Sequence, residues 1–277
     1  MIPPRSELRA ATLELFAKVG RDNVPRLASS FSFFAILSLA PLLVLAVSAA
    51  ALIWGKGEAK DQLLAQALSF AGPQVRDYLA GVIESSQRGA EGAVATALGL
   101  IVTFYSASNL FLQLVDAINS IWDIKTEGPF VRTFIRTRVL AFLAVFLFGG
   151  LMLGWMVLDS VIVWLSHQTG HVAGLQTLSL ATSLVALSVA FSITYHSLPR
   201  GRLRWGDVWL GGLVTGLGIT VSKFLLTLYF SRISGVYGAA GGAVIVLLWV
   251  YYSSIIYFFG AEVTYVYAHR YGSLKGA

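Results

Sequence analysis

Between Asn109 and Ser120 the chain sets a polar side chain on every helical turn. Asn109, Gln113, Asp116 and Ser120 follow at intervals of four, three and four, the spacing of one helical face, and Ser106 and Asn119 widen it. The surrounding stretch, about 92–121, is otherwise apolar. A polar stripe about three turns long does not belong against hydrocarbon. It serves either as hydrogen-bond glue between helices or as the lining of a water-filled path along which a polar group moves. On the second reading Asn109, Gln113, Asp116 and Lys223 are the residues of the path.

Charged side chains inside apolar runs are costly and mark candidate sites. Lys223 lies deep in such a run, about 25 Å from the end at which the run starts, at 1.5 Å per residue. Asp159 is the acid closest to it in depth. Two readings stay open: an ion pair between Asp159 and Lys223, or a site for an anionic head group at Lys223. Asp116 and Glu262 both fall near the opposite surface, at the level of Arg136, Arg138 and Arg204. These five residues make a candidate inner-side polar network, serving as a structural lock or as a moving, proton-coupled gate.

No catalytic constellation accompanies them. The 14 acids include no D-x-D group, and there is no Cys, hence no thiolate nucleophile or thiolate metal site. His167 and His171 have i,i+4 spacing, but Gly170 between them weakens a helical pair. The Gly-rich turn at 235–242 lacks the Lys-Ser or Lys-Thr that would hold a phosphate. The chain is therefore expected not to be an enzyme and to hold neither cofactor nor metal.

The elements that position these residues follow from composition. Hydrophobic residues make up 56% of the 277, and charged residues only 12%, about half of what a soluble domain carries. Water cannot be the solvent for most of this surface. The fold expected is an all-α, polytopic membrane helix bundle forming one domain over 1–277. Six spans are read, at about 27–54, 92–121, 137–166, 175–198, 206–230 and 242–268. Pro41 is expected to kink the first. Residues 1–26 read as an amphipathic helix, without a cleavable leader. Residues 55–90 read as two short amphipathic helices broken at Gly72-Pro73, forming an external cap. The net charge of +6 is scattered in short clusters between apolar runs, which fits membrane orientation and not nucleic-acid binding. Fourteen Lys and Arg fall on one side of the six spans and five on the other, with Lys223 inside, which puts both termini in the cytoplasm.

Ordered segments of the chain resemble the YihY/BrkB family of bacterial inner-membrane proteins, once labelled ribonuclease BN. They are Phe31-Ser32-Phe33-Phe34-Ala35-Ile36-Leu37-Ser38-Leu39-Ala40-Pro41, then Tyr105-Ser106-Ala107-Ser108 continuing to Asn119-Ser120-Ile121-Trp122. The third runs from Leu198-Pro199 through Lys223 and Tyr229 to Tyr237-Gly238-Ala239, Leu248-Trp249-Val250-Tyr251 and Gly260-Ala261-Glu262. The resemblance implies a six-helix protein of the bacterial inner membrane and a transporter or flippase-like role for a lipid-like or amphipathic substrate. Lys223 suits an anionic one. The partners expected are membrane lipids and such a solute, with no nucleic acid. Glycines at i and i+4, among them Gly212/Gly216, serve helix packing in the monomer or a homo-oligomer face. The competing readings are a non-transporting envelope scaffold and, as the old label suggests, a membrane ribonuclease. Nothing in the chain marks an ATP site, so active transport would draw on a gradient or a partner.

Overall fold

The computed structural model describes residues 5–55, 58–71, 73–88, 105, 109–124, 150, 154, 161, 172–199, 203–233 and 241–275. Among these the backbone is helical almost throughout and contains no strand, and the chain is an all-α membrane protein. The helices in chain order are α1 (Arg5–Arg21), α2 (Val24–Leu37), α3 (Leu39–Trp54), α4 (Ala59–Ala71), α5 (Pro73–Arg88), α6 (109–121), α7 (Val172–Ser197), α8 (Trp205–Ile233) and α9 (Gly241–Arg270). Among the described residues α8 and α9 are each long and apolar enough to cross a membrane, over Trp205–Leu226 and Gly242–Arg270. The bent pair α2 and α3 makes a third if it is one span. The expected span at 137–166, with Arg136, Arg138 and Asp159, lies outside the described residues apart from single positions, as does the first part of the span at 92–121.

The first apolar stretch differs in detail from the single kinked helix expected over 27–54. It is two helices, bent by 61° at Ser38 and not at Pro41. Pro41 has no N–H to give to the Leu37 carbonyl four residues back, and its ring crowds that carbonyl. The break therefore falls just after Leu37, while Pro41 sits in the first turn of α3, where a missing donor costs little. Around the break the Ser38 N–H still reaches the Phe34 carbonyl at 3.0 Å, and the Leu42 N–H reaches that of Ser38 at 2.9 Å. Upstream, α1 ends at Arg21, and the turn after it contains Asn23, whose φ of 53° is a left-handed position that Asn tolerates. The apolar helix thus begins at Val24.

The chain divides into two compact units, one of residues 1–27, 115–220 and 255–277, the other of 28–114 and 221–254. In the first unit small residues bring helices close. Gly212 and Gly216 of α8 lie against Ser192 and Ser188 of α7, where a Cβ would stand 2.0 and 2.5 Å from the two hydroxyl oxygens. This glycine pair therefore packs helices within the monomer. Tyr195 of α7, fully buried, donates to the Tyr257 carbonyl of α9 at 2.6 Å and stands 2.8 Å from Thr215 Oγ1 of α8, so one hydroxyl ties three helices. In the second unit Val75 of α5, Leu226 of α8, and Ile245 and Val246 of α9 form a buried core flanked by Ile36, Tyr78 and Trp249. Lys60 and Glu84 join α4 to α5 at 2.8 Å.

Elsewhere the helices present apolar side chains outward: Val185 of α7 is 62% exposed, and Phe224 and Leu225 of α8 are 57% and 61% exposed. Each such side chain forgoes about 1.5–3 kcal/mol of burial if it faces water. Hydrocarbon removes that cost.

Candidate functional site

Helix α1 is folded inside-out by the standards of a soluble surface helix. Leu13 and Phe16 are 64% and 66% exposed, whereas Lys18 is 2% exposed. The buried ammonium has three N–H groups to place. It donates to Asp22 one turn on and to the Ile121 carbonyl at the end of α6, 2.7 Å away. It lies 3.4 Å from Glu262 Oε2 of α9, 3.9 Å from Asp123 Oδ2, and 4.1 Å from the centroid of the Tyr265 ring, over its face. One side chain of α1 thus meets the end of α6 and two positions of α9. Arg21, largely exposed, borders the cluster 3.2 Å from Asp22 and 3.9 Å from Asp123.

The electrostatics follow from this packing. Burial works to raise the Asp22 carboxyl, but the hydrogen bond and charge of Lys18, then the bond from Arg21, outweigh it and hold the group below the ordinary Asp range. The bond and charge of Asp22 in turn raise Arg21. Glu262 is fully buried, and neither of its oxygens meets a hydrogen-bond donor. Close by, Trp122 stacks edgewise on Tyr265 with centroids 5.3 Å apart. Its indole N–H and both amide atoms of Asn119 are buried without protein partners.

The expected site residues are distributed as follows. Glu262 stands in the cluster, with Lys18 as its basic neighbour, whereas the sequence reading assigned it Arg136, Arg138 or Arg204. Arg204 is exposed at the start of α8, and its backbone N–H donates to Asp207 Oδ2 at 3.1 Å. Asp116 is exposed on α6, Asn109 and Gln113 are half-buried, and Gln113 donates to Ser30 Oγ of α2 at 3.0 Å. Lys223 is half-buried on α8. Arg136, Arg138 and Asp159 lie outside the described residues. Among the described residues no three His, Asp or Glu side chains are grouped as metal ligands would be.

Two features were missed. Lys18 and Asp22 are four residues apart, which places them on one helical face, but a basic residue on an amphipathic helix is ordinarily solvated. Asp207, 4% exposed, accepts from the Ser273 backbone N–H at 3.0 Å and so holds the end of the chain against the start of α8. Its sequence signal was an acid in the first turn of a span.

A model of the family described as virulence factor BrkB matches residues 15–277, a range that contains Lys18, Asp22, Asp123, Glu262 and Tyr265. The chain belongs to that family. The chain is also similar to curated relatives called UPF0761 membrane proteins. One, from Verminephrobacter eiseniae strain EF01-2, is 30% identical over 256 residues, covering 88% of this chain and 58% of the relative. Another, from Nitrosospira multiformis, is 28% identical over 251 residues, covering 88% and 57%. A third, from Ralstonia nicotianae, is 29% identical over 269 residues, covering 93% and 58%. The chain thus spans somewhat over half the length of these relatives. No solved structure matches it.

Proposed function

We propose that this BrkB-family protein is an inner-membrane transporter or flippase-like protein, not an enzyme, for a lipid-like or amphipathic anionic substrate, with six spans and both termini cytoplasmic. The observation that carries the reading is the accessible face of α6. Asp116 and Ser120, one turn apart, are exposed, while Val115, Ala117, Ile118, Asn119 and Ile121 between and beside them are buried. The accessible face of α8 is the opposite in character, with Leu217, Val221, Phe224 and Leu225 outward. A carboxylate and a hydroxyl on the accessible side of an apolar helix suit a face met by water or head groups. Glue between helices would be covered. The half-buried Lys223 on α8 supplies a positive charge suited to an anionic group.

The test is scrambling of a fluorescent phosphatidylglycerol analogue in vesicles. Protein-containing vesicles should let an external quencher reach inner-leaflet label faster than empty ones, and Asp116→Ala should slow that loss. A folded, monodisperse protein that leaves the label where it was would end the reading and favour an envelope scaffold.

A further inference from the structure

Glu262 is buried on α9 with no donor to either oxygen, and the ammonium 3.4 Å from it, that of Lys18, is already bonded to a second buried carboxyl, that of Asp22. Two buried carboxyl groups beside one ammonium repel when both are ionised, and a proton on one of them removes the conflict. Lys18 does not resolve the conflict. Its bonds go to Asp22 and to the Ile121 carbonyl, and it lies over the Tyr265 ring, leaving Glu262 at 3.4 Å without a bond of good geometry.

Charge counting agrees. The groups facing the pair are Lys18 and Arg21 from α1, Asp123 from the turn after α6, and Tyr265 from α9, with His269 stacked 4.1 Å from Tyr265. Among the described residues, Asp22, Asp123 and Glu262 against Lys18 and Arg21 leave one negative charge in excess. One proton on the buried pair removes it, and the remaining charge is matched by the buried ammonium. Without that proton two buried carboxylates compete for one ammonium across the contact between α1 and α9.

We propose that Asp22 and Glu262 together bind one exchangeable proton and that this proton holds α1 against α9. The site is independent of the transport reading, since a protein that moves no lipid still carries it.

The native chain has no cysteine, and the rings of Phe16 on α1 and Phe259 on α9 lie 6.5 Å apart. A nitroxide on each of Phe16→Cys and Phe259→Cys in the full chain, reconstituted in nanodiscs, reports docking as dipolar broadening. Broadening should be strong at neutral pH and fall at least two-fold as the medium is made alkaline. Glu262→Gln, neutral at every pH and still a donor, should keep it strong throughout. The same titration in Glu262→Gln as in the parent overturns the proposal, as does its loss in His269→Gln, which would assign it to the imidazole. A transition that follows sodium against choline instead of pH overturns the proton in favour of a metal cation. Infrared spectra of the unlabelled protein give a second reading should the labelled pair not fold. A carboxylic-acid carbonyl band present at neutral pH and absent from Glu262→Gln supports the proposal, and an unchanged band refutes it.

Discussion

A Cβ built on Gly211 of α8 would stand 1.8 Å from Thr264 Oγ1 of α9 and 2.5 Å from the Gly260 carbonyl oxygen. The contact is reciprocal: a Cβ on Gly260 would stand 1.8 Å from Thr215 Oγ1. Each threonine hydroxyl donates back to the glycine carbonyl four residues earlier on its own helix, at 2.8 Å for Thr215 and 2.9 Å for Thr264. The two helices therefore close up on glycine without leaving a hydroxyl unsatisfied in an apolar setting. Gly211→Ala is expected to destabilise by about 1–3 kcal/mol, because the obstructing Gly260 carbonyl is backbone and cannot turn aside. Gly20→Ala on α1, where a Cβ meets nothing within 4 Å, is the control and should hold or raise the melting temperature. Thermal unfolding of both in one detergent checks the contrast.

Lys18→Met keeps most of the buried stem and removes the charge. It leaves Asp22 and Glu262 without their shared cation, and breaking one side of a buried ion cluster costs about 3–5 kcal/mol. Adding Asp22→Asn should recover a large part of that loss, because the one charge left on the buried pair is then gone. Equal unfolding midpoints for the single and double variants would show that the loss came from packing and not from charge.

Asp22 is the group whose titration sets an acid limit. Its folded carboxyl titrates below that of an unfolded Asp, so around and below about pH 4 the unfolded chain binds more protons than the folded one. The contribution is complete above that value and is lost as pH falls through the lower, folded one. Asp22→Asn should be less stable than the parent near neutrality, and the gap should narrow in acid. A gap that stays constant down to pH 3 would contradict the assignment. Denaturant unfolding at a series of pH values reads it directly.

The helical nature of the chain was legible because its source is composition: apolar runs of span length with charge confined between them leave few other folds. The site was less legible, and the reason is geometric. Glu262 was recognisable as an acid too deep for a solvated role, but its partner lies 244 positions earlier in the chain, on a helix whose pattern resembles a surface helix. Periodicity reports that Lys18 and Asp22 share a face of α1 and is silent on whether that face meets water or α9. The bend at Ser38 was half legible: proline announced it, while its position three residues upstream follows from the Leu37 carbonyl, which the proline ring crowds and gives no N–H to.

The stripe on α6 separates into two roles that one pair of substitutions tests. Gln113 bonds Ser30 of α2 and is half-buried, so Gln113→Leu should cost about 1 kcal/mol through the hydroxyl it leaves behind. Asp116, three residues on and exposed, should change stability by no more than about 0.5 kcal/mol when replaced by Asn. On the transport reading the rates run the other way. Asp116→Asn slows movement of the phosphatidylglycerol analogue, while Gln113→Leu, once folded, leaves the rate near that of the parent. Melting curves and scrambling rates from the same preparations decide it. If Asp116→Asn loses stability and Gln113→Leu does not, the exposed face of α6 is a packing surface, and the path must be sought on α8 around Lys223.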